Sequence, residues 1–278
     1  MEKILVPTDF SSNAYNALFH AVQLVKNEPC TFYLLNVHDE FTPLISKSSG
    51  KDLIQQLSDE SHEGLKALAH RIKRDDPNQQ HIFKTISKYG ELTQTIFNVV
   101  GKEGIDLVVM GNTGCSEIEA IFLGSNVLNT ISAIKKCPVL TVPKEIDFVP
   151  PKQIAFVTDY HRPYDAGLLQ PLLFLAKQYG AKICVMHINQ EEVLNKYQTM
   201  NKSILIDYLS PFENSFHWMP LFKNKANSIT TFLEELKIDI LTMVNYQHSI
   251  LERATREPVI KRVAFDLDIP FLVIPDSD

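Results

Sequence analysis

The chain has 278 residues, 45% of them hydrophobic and 22% charged, which is long enough for two globular domains and too apolar for a disordered or fibrous protein. Its formal net charge of -6 leaves no basic footprint for sequence-independent nucleic-acid binding, and no apolar run is long enough to cross a membrane. Its four cysteines form no CxxC motif or Cys/His cluster, and its first residues do not resemble an export signal, so we expect a cytoplasmic protein with reduced thiols and no metal site.

Apolar strands alternate with helical patterns through the first half of the chain. The strands are predicted near residues 3–7, 31–37, 81–87, 106–110 and 139–142. The helices are predicted near residues 12–26, 51–73, 92–102 and 125–135. Strands such as the run LVVM are continuously apolar, as expected when helices cover both faces of a parallel sheet. The pattern predicts a parallel, doubly wound α/β domain that binds ligands at the carboxyl ends of its strands, where the strand order reverses.

The second half of the chain repeats the first. Each half opens with an apolar strand that ends in Thr-Asp, at Thr8-Asp9 and at Thr158-Asp159, and each closes with a strand led by a proline. Pro150-Pro151 marks the boundary, because this pair cannot continue a helix or a central strand. We therefore predict two tandem domains, at residues 1–146 and 152–278.

The loop after the fourth strand contains glycines at a spacing that suits phosphate. Gly111 and Gly114 follow the strand, and Gly124-Ser125 is predicted to open the next helix. Glycine accepts positive φ and has no Cβ, so backbone N–H groups can approach a ligand closely. A helix N-terminus adds unpaired N–H groups and a partial positive charge. The alternative is that the first two glycines shape a turn and the last pair is an ordinary helix start, but the combination favours a phosphate site.

The G-x2-G-x9-G-S spacing, in a chain that opens with ILVPTDFS, resembles the ATP-binding signature of the universal stress proteins. The resemblance covers both halves. It implies two tandem five-stranded parallel sheets of the Rossmann-like, adenine nucleotide alpha hydrolase-like class, paired as a pseudo-dimer within the chain, with a homodimer as a further alternative. It also implies ATP as the ligand. By position, these residues would surround the ATP: Pro7, Thr8 and Asp9 at the adenine and ribose end, Val37 beside the base, and Gly111, Gly114, Gly124, Ser125, Asn126 and Val127 around the ribose and phosphates.

Asp9 has three interpretations from the residues alone. Its carboxylate accepts a hydrogen bond from a ribose or adenine group, caps the helix that starts at Ser11-Ser12, or assists a Mg²⁺ ion that arrives with the nucleotide. Its repetition as Asp159, in a half without the glycine loop, gives the structural cap equal weight. One carboxylate is thin support for a metal, so we predict no metal ligand in the protein itself.

The second half has lost every glycine of the loop. Val244, Gln247, Glu257 and Pro258 stand at the three glycine positions and at the serine position. A glutamate would place negative charge where the phosphates should lie, and a proline removes one N–H donor. We therefore predict one ATP site per chain, in the first domain.

The sequence offers little support for an enzyme. It contains no P-loop and no dinucleotide GxGxxG motif after the first strand, and its first loop lacks the glycines of adenylating enzymes. His38 and His187 are predicted to occupy matching scaffold positions after the second strand of each half, so we predict no catalytic residue. The favoured hypothesis is a cytoplasmic stress-response protein that binds ATP as a regulatory or structural ligand. The alternatives are an interaction or scaffold module that binds no nucleotide and, less favoured, a slow ATPase or adenylating enzyme.

Overall fold

Strands and helices alternate along both halves of the chain, as the sequence predicts. The structure is a computed structural model that describes residues 1–38, 51–112, 120–144, 146–189, 193–246, 259–260 and 267–276. The chain divides into two units, Met1–Phe148 and Val149–Asp278. In the described part of the chain, no helix combines the length and hydropathy needed to span a bilayer.

The first unit contains a parallel sheet in the strand order β3-β2-β1-β4-β5. The order reverses between β1 and β4, which is the crevice where ligands bind in doubly wound folds. The elements are β1 (Lys3–Pro7), α1 (Ser12–Leu24), β2 (Cys30–His38), α2 (Lys51–Asp75), β3 (His81–Tyr89), α3 (Leu92–Glu103), β4 (Leu107–Gly111), α4 (Ala120–Ala133) and β5 (Val139–Val142).

The second unit repeats this arrangement in the strand order β8-β7-β6-β9-β10, so its reversal lies between β6 and β9. The α/β class and the parallel sheets predicted from the sequence are thereby confirmed. The elements are β6 (Gln153–Val157), α5 (Ala166–Tyr179), β7 (Lys182–Asn189), α6 (Lys196–Leu209), β8 (Asn214–Pro220), α7 (Lys225–Leu236), β9 (Ile240–Asn245) and β10 (Phe271–Pro275).

The duplication extends to individual hydrogen bonds. Asp106, just before β4, accepts bonds at Oδ2 from the amides of Glu2 and Lys3, at 2.8 and 3.0 Å. Asp239, just before β9, accepts bonds at Oδ2 from the amides of Lys152 and Gln153, at 2.7 and 2.8 Å. In each unit a carboxylate joins the start of the first strand to the start of the fourth. The Ile-Asp pair that precedes the fourth strand of each half, Ile105-Asp106 and Ile238-Asp239, therefore has a structural role.

Candidate functional site

The carboxyl ends of β1 and β4 form the edge at which the first unit's strand order reverses. Strand β1 ends at Pro7 and continues into Thr8 and Asp9, while β4 ends at Gly111. The Thr8 amide donates to the carbonyl of Leu35 at 2.8 Å, which extends the pairing with β2 toward this edge. The structure thus brings these predicted site residues to one edge.

A tight turn follows β1 and fixes the direction of the chain into α1. Thr8 accepts a bond at Oγ1 from the Phe10 amide at 3.0 Å, and Asp9 accepts one at Oδ1 from the Ser11 amide, also at 3.0 Å. Phe10 has a φ of 65°, which is unusual for a bulky side chain. Ser11 is the N-cap of α1, since its side chain accepts from the Ala14 amide.

The interpretation of Asp9 as the helix cap is therefore wrong, because Ser11 holds that position. Sequence reasoning could not separate the two residues, since both have side chains that suit an N-cap. Asp9 instead holds the amide of the cap residue. The bond to Ser11 orients the Asp9 carboxylate at this edge. The Asp9 side chain is exposed at this edge.

The same turn recurs after β6 in the second unit. Thr158 accepts at Oγ1 from the Tyr160 amide at 3.1 Å, and Asp159 accepts at Oδ1 from the His161 amide at 3.0 Å. Tyr160 has a φ of 58°, close to that of Phe10. The sequence analysis missed this turn, although its signal is visible as an aromatic residue after each Thr-Asp pair. Its recurrence shows that the Thr-Asp motif has a structural role in both units.

Gly111 is explained by close packing between β4 and α1. It is not among the residues with positive φ, so the reason for a glycine is the missing Cβ. An ideal Cβ at this position would lie 2.5 Å from Asn13 Nδ2 and 2.8 Å from Asn13 Cγ. Asn13 is only 2% exposed, so its amide cannot swing away. The glycine is therefore required by a neighbour on α1.

The second unit has a larger residue at this strand position. The register of β4 and β9 against β1 and β6 places Val244 at the position of Gly111, which agrees with the alignment of the two halves. Gln247, Glu257 and Pro258 lie outside the described residues.

Helix α4 begins at Ala120, one turn earlier than predicted. The expectation that Gly124-Ser125 opens the helix is therefore wrong. Residues 120–123 read Ala-Ile-Phe-Leu, which includes two of the strongest helix formers, and a glycine inside a helix costs only about 1 kcal/mol. Within α4, the amides without an intrahelical acceptor are consequently those of residues 120–122.

The remaining predicted site residues occupy different environments. Asn126 is half-buried on α4, and Val127 is 4% exposed, with its side chain in the core. Val37 is half-buried near the end of β2. Gly114 lies outside the described residues.

Tyrosine side chains occupy the equivalent edge of the second unit. Eight residues connect β6 to α5, whereas four connect β1 to α1. This longer loop carries Tyr164, which is 5% exposed and whose hydroxyl bonds to Thr158 Oγ1. Burial raises the pKa of Tyr164, and Tyr246, which follows β9, raises it further. The pKa of Tyr246 is itself raised by burial and by Asp159. The sequence analysis did not find these tyrosines.

Asn36 and His187 perform the same structural task in the two units. Asn36 donates from Nδ2 to the Thr8 carbonyl at 2.8 Å, and His187 Nδ1 lies 3.1 Å from the Thr158 carbonyl. The strand registers also make them counterparts. The predicted match of His187 with His38 is therefore wrong, because the strand registers align His187 with Asn36 and His38 with Asn189. His187 belongs to the scaffold.

The described cysteines are buried. Cys30, Cys137 and Cys184 carry no disulfide, and Cys115 lies outside the described residues. Burial raises the pKa of Cys30 and of Cys137 to about 12. Within the described ranges, no three His, Cys, Asp or Glu residues are grouped so that they could hold a metal ion.

A family model for the universal stress protein family matches residues 1–143. The chain belongs to this family. The universal stress protein YxiE of Bacillus subtilis is 32% identical over 146 residues, which are 50% of this chain and 97% of YxiE. The universal stress protein MJ0531 of Methanocaldococcus jannaschii is 31% identical over 145 residues, which are 51% of this chain and 82% of that protein.

A crystal structure of a universal stress protein from Archaeoglobus fulgidus is similar to the whole chain. Its TM-score is 0.77 at 18% identity, and the similarity covers 99% of this chain and 97% of that one. At this identity the similarity shows the fold alone. The single-domain relatives match about half of this universal stress protein, which is consistent with a tandem arrangement.

Proposed function

We propose that this universal stress protein is a cytoplasmic stress-response protein that binds one ATP molecule, in its first unit, as a regulatory or structural ligand. The observation that carries the proposal is the contrast between two copies of one edge. In the first unit this edge presents Asp9 and Gly111, whereas in the second Tyr164 bonds to Thr158 and Tyr246 lies beside it.

The adenosine end of the nucleotide is assigned to the turn after β1. Pro7, Thr8 and Asp9 lie at this edge, and Val37 lies at the end of the neighbouring strand, beside the proposed base. The exposed Asp9 carboxylate accepts a bond from a ribose hydroxyl or from the adenine amino group. Because the turn already fixes Asp9 through Ser11, binding needs little further ordering of this side chain.

The phosphates are assigned to the segment between β4 and α4. Gly111 ends β4, Gly114 follows it, and Gly124, Ser125, Asn126 and Val127 lie within α4, whose first-turn amides supply donors and a partial positive charge. Each charge-assisted bond to a phosphate oxygen contributes about 1.5–3 kcal/mol, so three or four such bonds suffice to hold a triphosphate. Mg²⁺ accompanies the nucleotide without a dedicated cage of protein ligands.

Thermal unfolding with two probes tests both the ligand and its place. ATP at a hundred times its dissociation constant adds about 2.7 kcal/mol to the unit that binds it. For a unit of this size the melting temperature should rise by about 5–10 °C. Trp218 is the only tryptophan and lies on β8 of the second unit, so its fluorescence reports on that unit, while circular dichroism reports on both. ATP should shift the circular dichroism transition and leave the Trp218 transition unchanged.

Gly124→Glu tests the phosphate assignment, because it places the acid of the second half into the first. We expect at least a tenfold loss of ATP affinity with the fold retained. Gly101→Glu is the matched control, because it makes the same change in the last turn of α3, just before β4. This variant should leave ATP binding intact. Equal losses in both variants would show that the phosphates have been placed wrongly.

Other outcomes point to the alternative functions. No response to ATP with Mg²⁺ would favour an interaction or scaffold module that binds no nucleotide. Repeated turnover to ADP would indicate a slow ATPase, and release of pyrophosphate with transfer of AMP would indicate an adenylating enzyme. The pseudo-dimer of the two units and a homodimer stay predictions. Sedimentation equilibrium, which measures molecular mass, tests the homodimer.

A further inference from the structure

A small cleft lies on the first unit, between the last turns of α3 and the end of α4. Its volume is about 180 Å³. The residues that line it come just before β4 and β5, so the cleft opens at the amino ends of the strands. The proposed nucleotide site lies at the opposite edge of the sheet. The two regions are therefore separate, and the cleft needs its own explanation.

One residue of the lining, which we call the floor of the cleft, is an exposed glycine that the fold does not require. Gly101 lies in the last turn of α3 and is not among the residues with positive φ. An ideal Cβ at Gly101 would have no atom within 4 Å, in contrast to Gly111, where a Cβ would collide with Asn13. Glycine is the least favourable helix residue after proline, so an alanine here would stabilise the helix. Its presence keeps the cleft open down to the backbone.

The walls of the cleft combine positive charge with apolar surface. Lys102, Lys135 and Lys136 line it, together with Phe97, whose side chain is 46% exposed, and Ile134. No residue that lines the cleft is an aspartate or a glutamate. The carboxylate of Glu103, outside the lining, lies 3.8 Å from Lys102 Nζ, but this pair is exposed to solvent and therefore weak.

A purely structural explanation accounts for only part of this arrangement. Lysines near helix C-termini interact favourably with the helix dipole, which explains the charge. That explanation gives no reason for an open floor at Gly101 or for an exposed ring at Phe97. An amphipathic ligand explains all three features, because its apolar body covers the ring while its charge meets the lysines.

We propose that this cleft is a second ligand site, which takes a small organic anion with a flat apolar body. The body lies over Gly101 and against the exposed ring of Phe97, and a phosphate or carboxylate group lies among the lysines. The volume is below the 300–1,000 Å³ typical of drug-sized ligands, so the site suits a ligand much smaller than ATP.

Phenyl phosphate is the probe, titrated into the full chain and followed by the NMR shifts of backbone amides. A ligand of this size at ordinary efficiency should bind with a Kd of about 1 mM. Phenol and inorganic phosphate, each carrying half of the chemistry, should bind at least about tenfold more weakly. Benzoate, compared with phenyl phosphate, distinguishes a carboxylate ligand from a phosphate ligand. The shifts should centre on Gly101 and Ile134, and shifts centred on Thr8 and Asp9 instead would overturn the proposal.

Gly101→Leu fills the floor and should abolish binding without lowering the melting temperature. Gly101→Ala is the milder variant and should weaken binding while raising the melting temperature. Lys136→Gln should weaken phenyl phosphate binding by about two- to fivefold and reduce its salt dependence. Gly124→Glu should leave it unchanged, which separates this site from the proposed ATP site. Saturation that is unaffected by Gly101→Leu, or no shift at 10 mM probe, about ten times the expected Kd, refutes the proposal.

Discussion

Gly111→Ala is expected to destabilise the first unit because of Asn13. The new Cβ would lie 2.5 Å from Asn13 Nδ2 and 2.8 Å from its Cγ, which is closer than real Cβ contacts allow. Asn13 is 2% exposed, so relief requires a shift of α1 against β4. This substitution tests the packing of the crevice in the absence of any ligand.

The expected cost follows from two opposing effects. Overpacking of a buried site costs about 1–3 kcal/mol. Replacing glycine by alanine returns about 0.4–1 kcal/mol, because the unfolded chain loses freedom. The net loss in the free energy of unfolding is about 1–2 kcal/mol, which lowers the melting temperature of a unit of this size by about 2–8 °C.

The assay is a double-mutant cycle with Asn13→Ala, followed by circular dichroism. Asn13→Ala removes all three side-chain atoms that the new Cβ would meet, so in that background Gly111→Ala should be neutral or stabilising. The coupling free energy should be about 1–3 kcal/mol. Trp218 fluorescence is the internal control, because the second unit carries neither change. An equal cost of Gly111→Ala in both backgrounds would refute the assignment of the glycine to Asn13.

Three further predictions follow from the described structure. Ser125→Pro should destabilise the first unit by about 3 kcal/mol, measured by urea titration, because α4 begins at Ala120 and a proline in its second turn removes a hydrogen bond. A cost no larger than that of Ser125→Ala would mean that the helix begins near Ser125. Tyr160→Gly should lower the free energy of unfolding by about 3–5 kcal/mol for the lost buried side chain, offset by about 1 kcal/mol because glycine relieves the backbone strain. Phe10→Gly should cost much less, because Phe10 is 42% exposed and Tyr160 is 1% exposed. Equal melting temperatures of the two variants would contradict this. Cys30 and Cys137 should resist iodoacetamide at pH 8 until the chain unfolds, since a thiol whose pKa is raised to about 12 is only about one part in 10,000 thiolate at that pH; rapid labelling of either, read by mass spectrometry, would show that it is not buried.

The strands could be predicted from the sequence because each is a short apolar run between clear breaks. Strands β1 and β5 begin and end where the pattern indicates, and the ends of β2 to β4 differ by at most two residues. The start of α4 could not be predicted, because local propensity at residues 120–123 competes with the helix-breaking tendency of Gly124. A glycine in the sequence is compatible both with the end of a helix and with its interior, and only the folded structure distinguishes the two.

The sequence indicated which residues to inspect at this edge, but not why each residue type is present there. The sequence singled out Gly111 as a phosphate-site glycine, whereas the structure gives a packing reason for it in Asn13, on a helix distant in sequence. The equivalence of Asn36 and His187 depends on strand register rather than on residue type. Tyr164 reaches the crevice because its loop folds back, which no periodicity reveals.

The filled crevice of the second unit makes its divergence hard to reverse. Reopening it would require shortening the loop after β6 and truncating Tyr164, which would leave a cavity and remove a partner of Thr158 Oγ1. Recovery of an open edge therefore needs several coordinated changes, whereas substitutions on the exposed surface of this unit cost little stability.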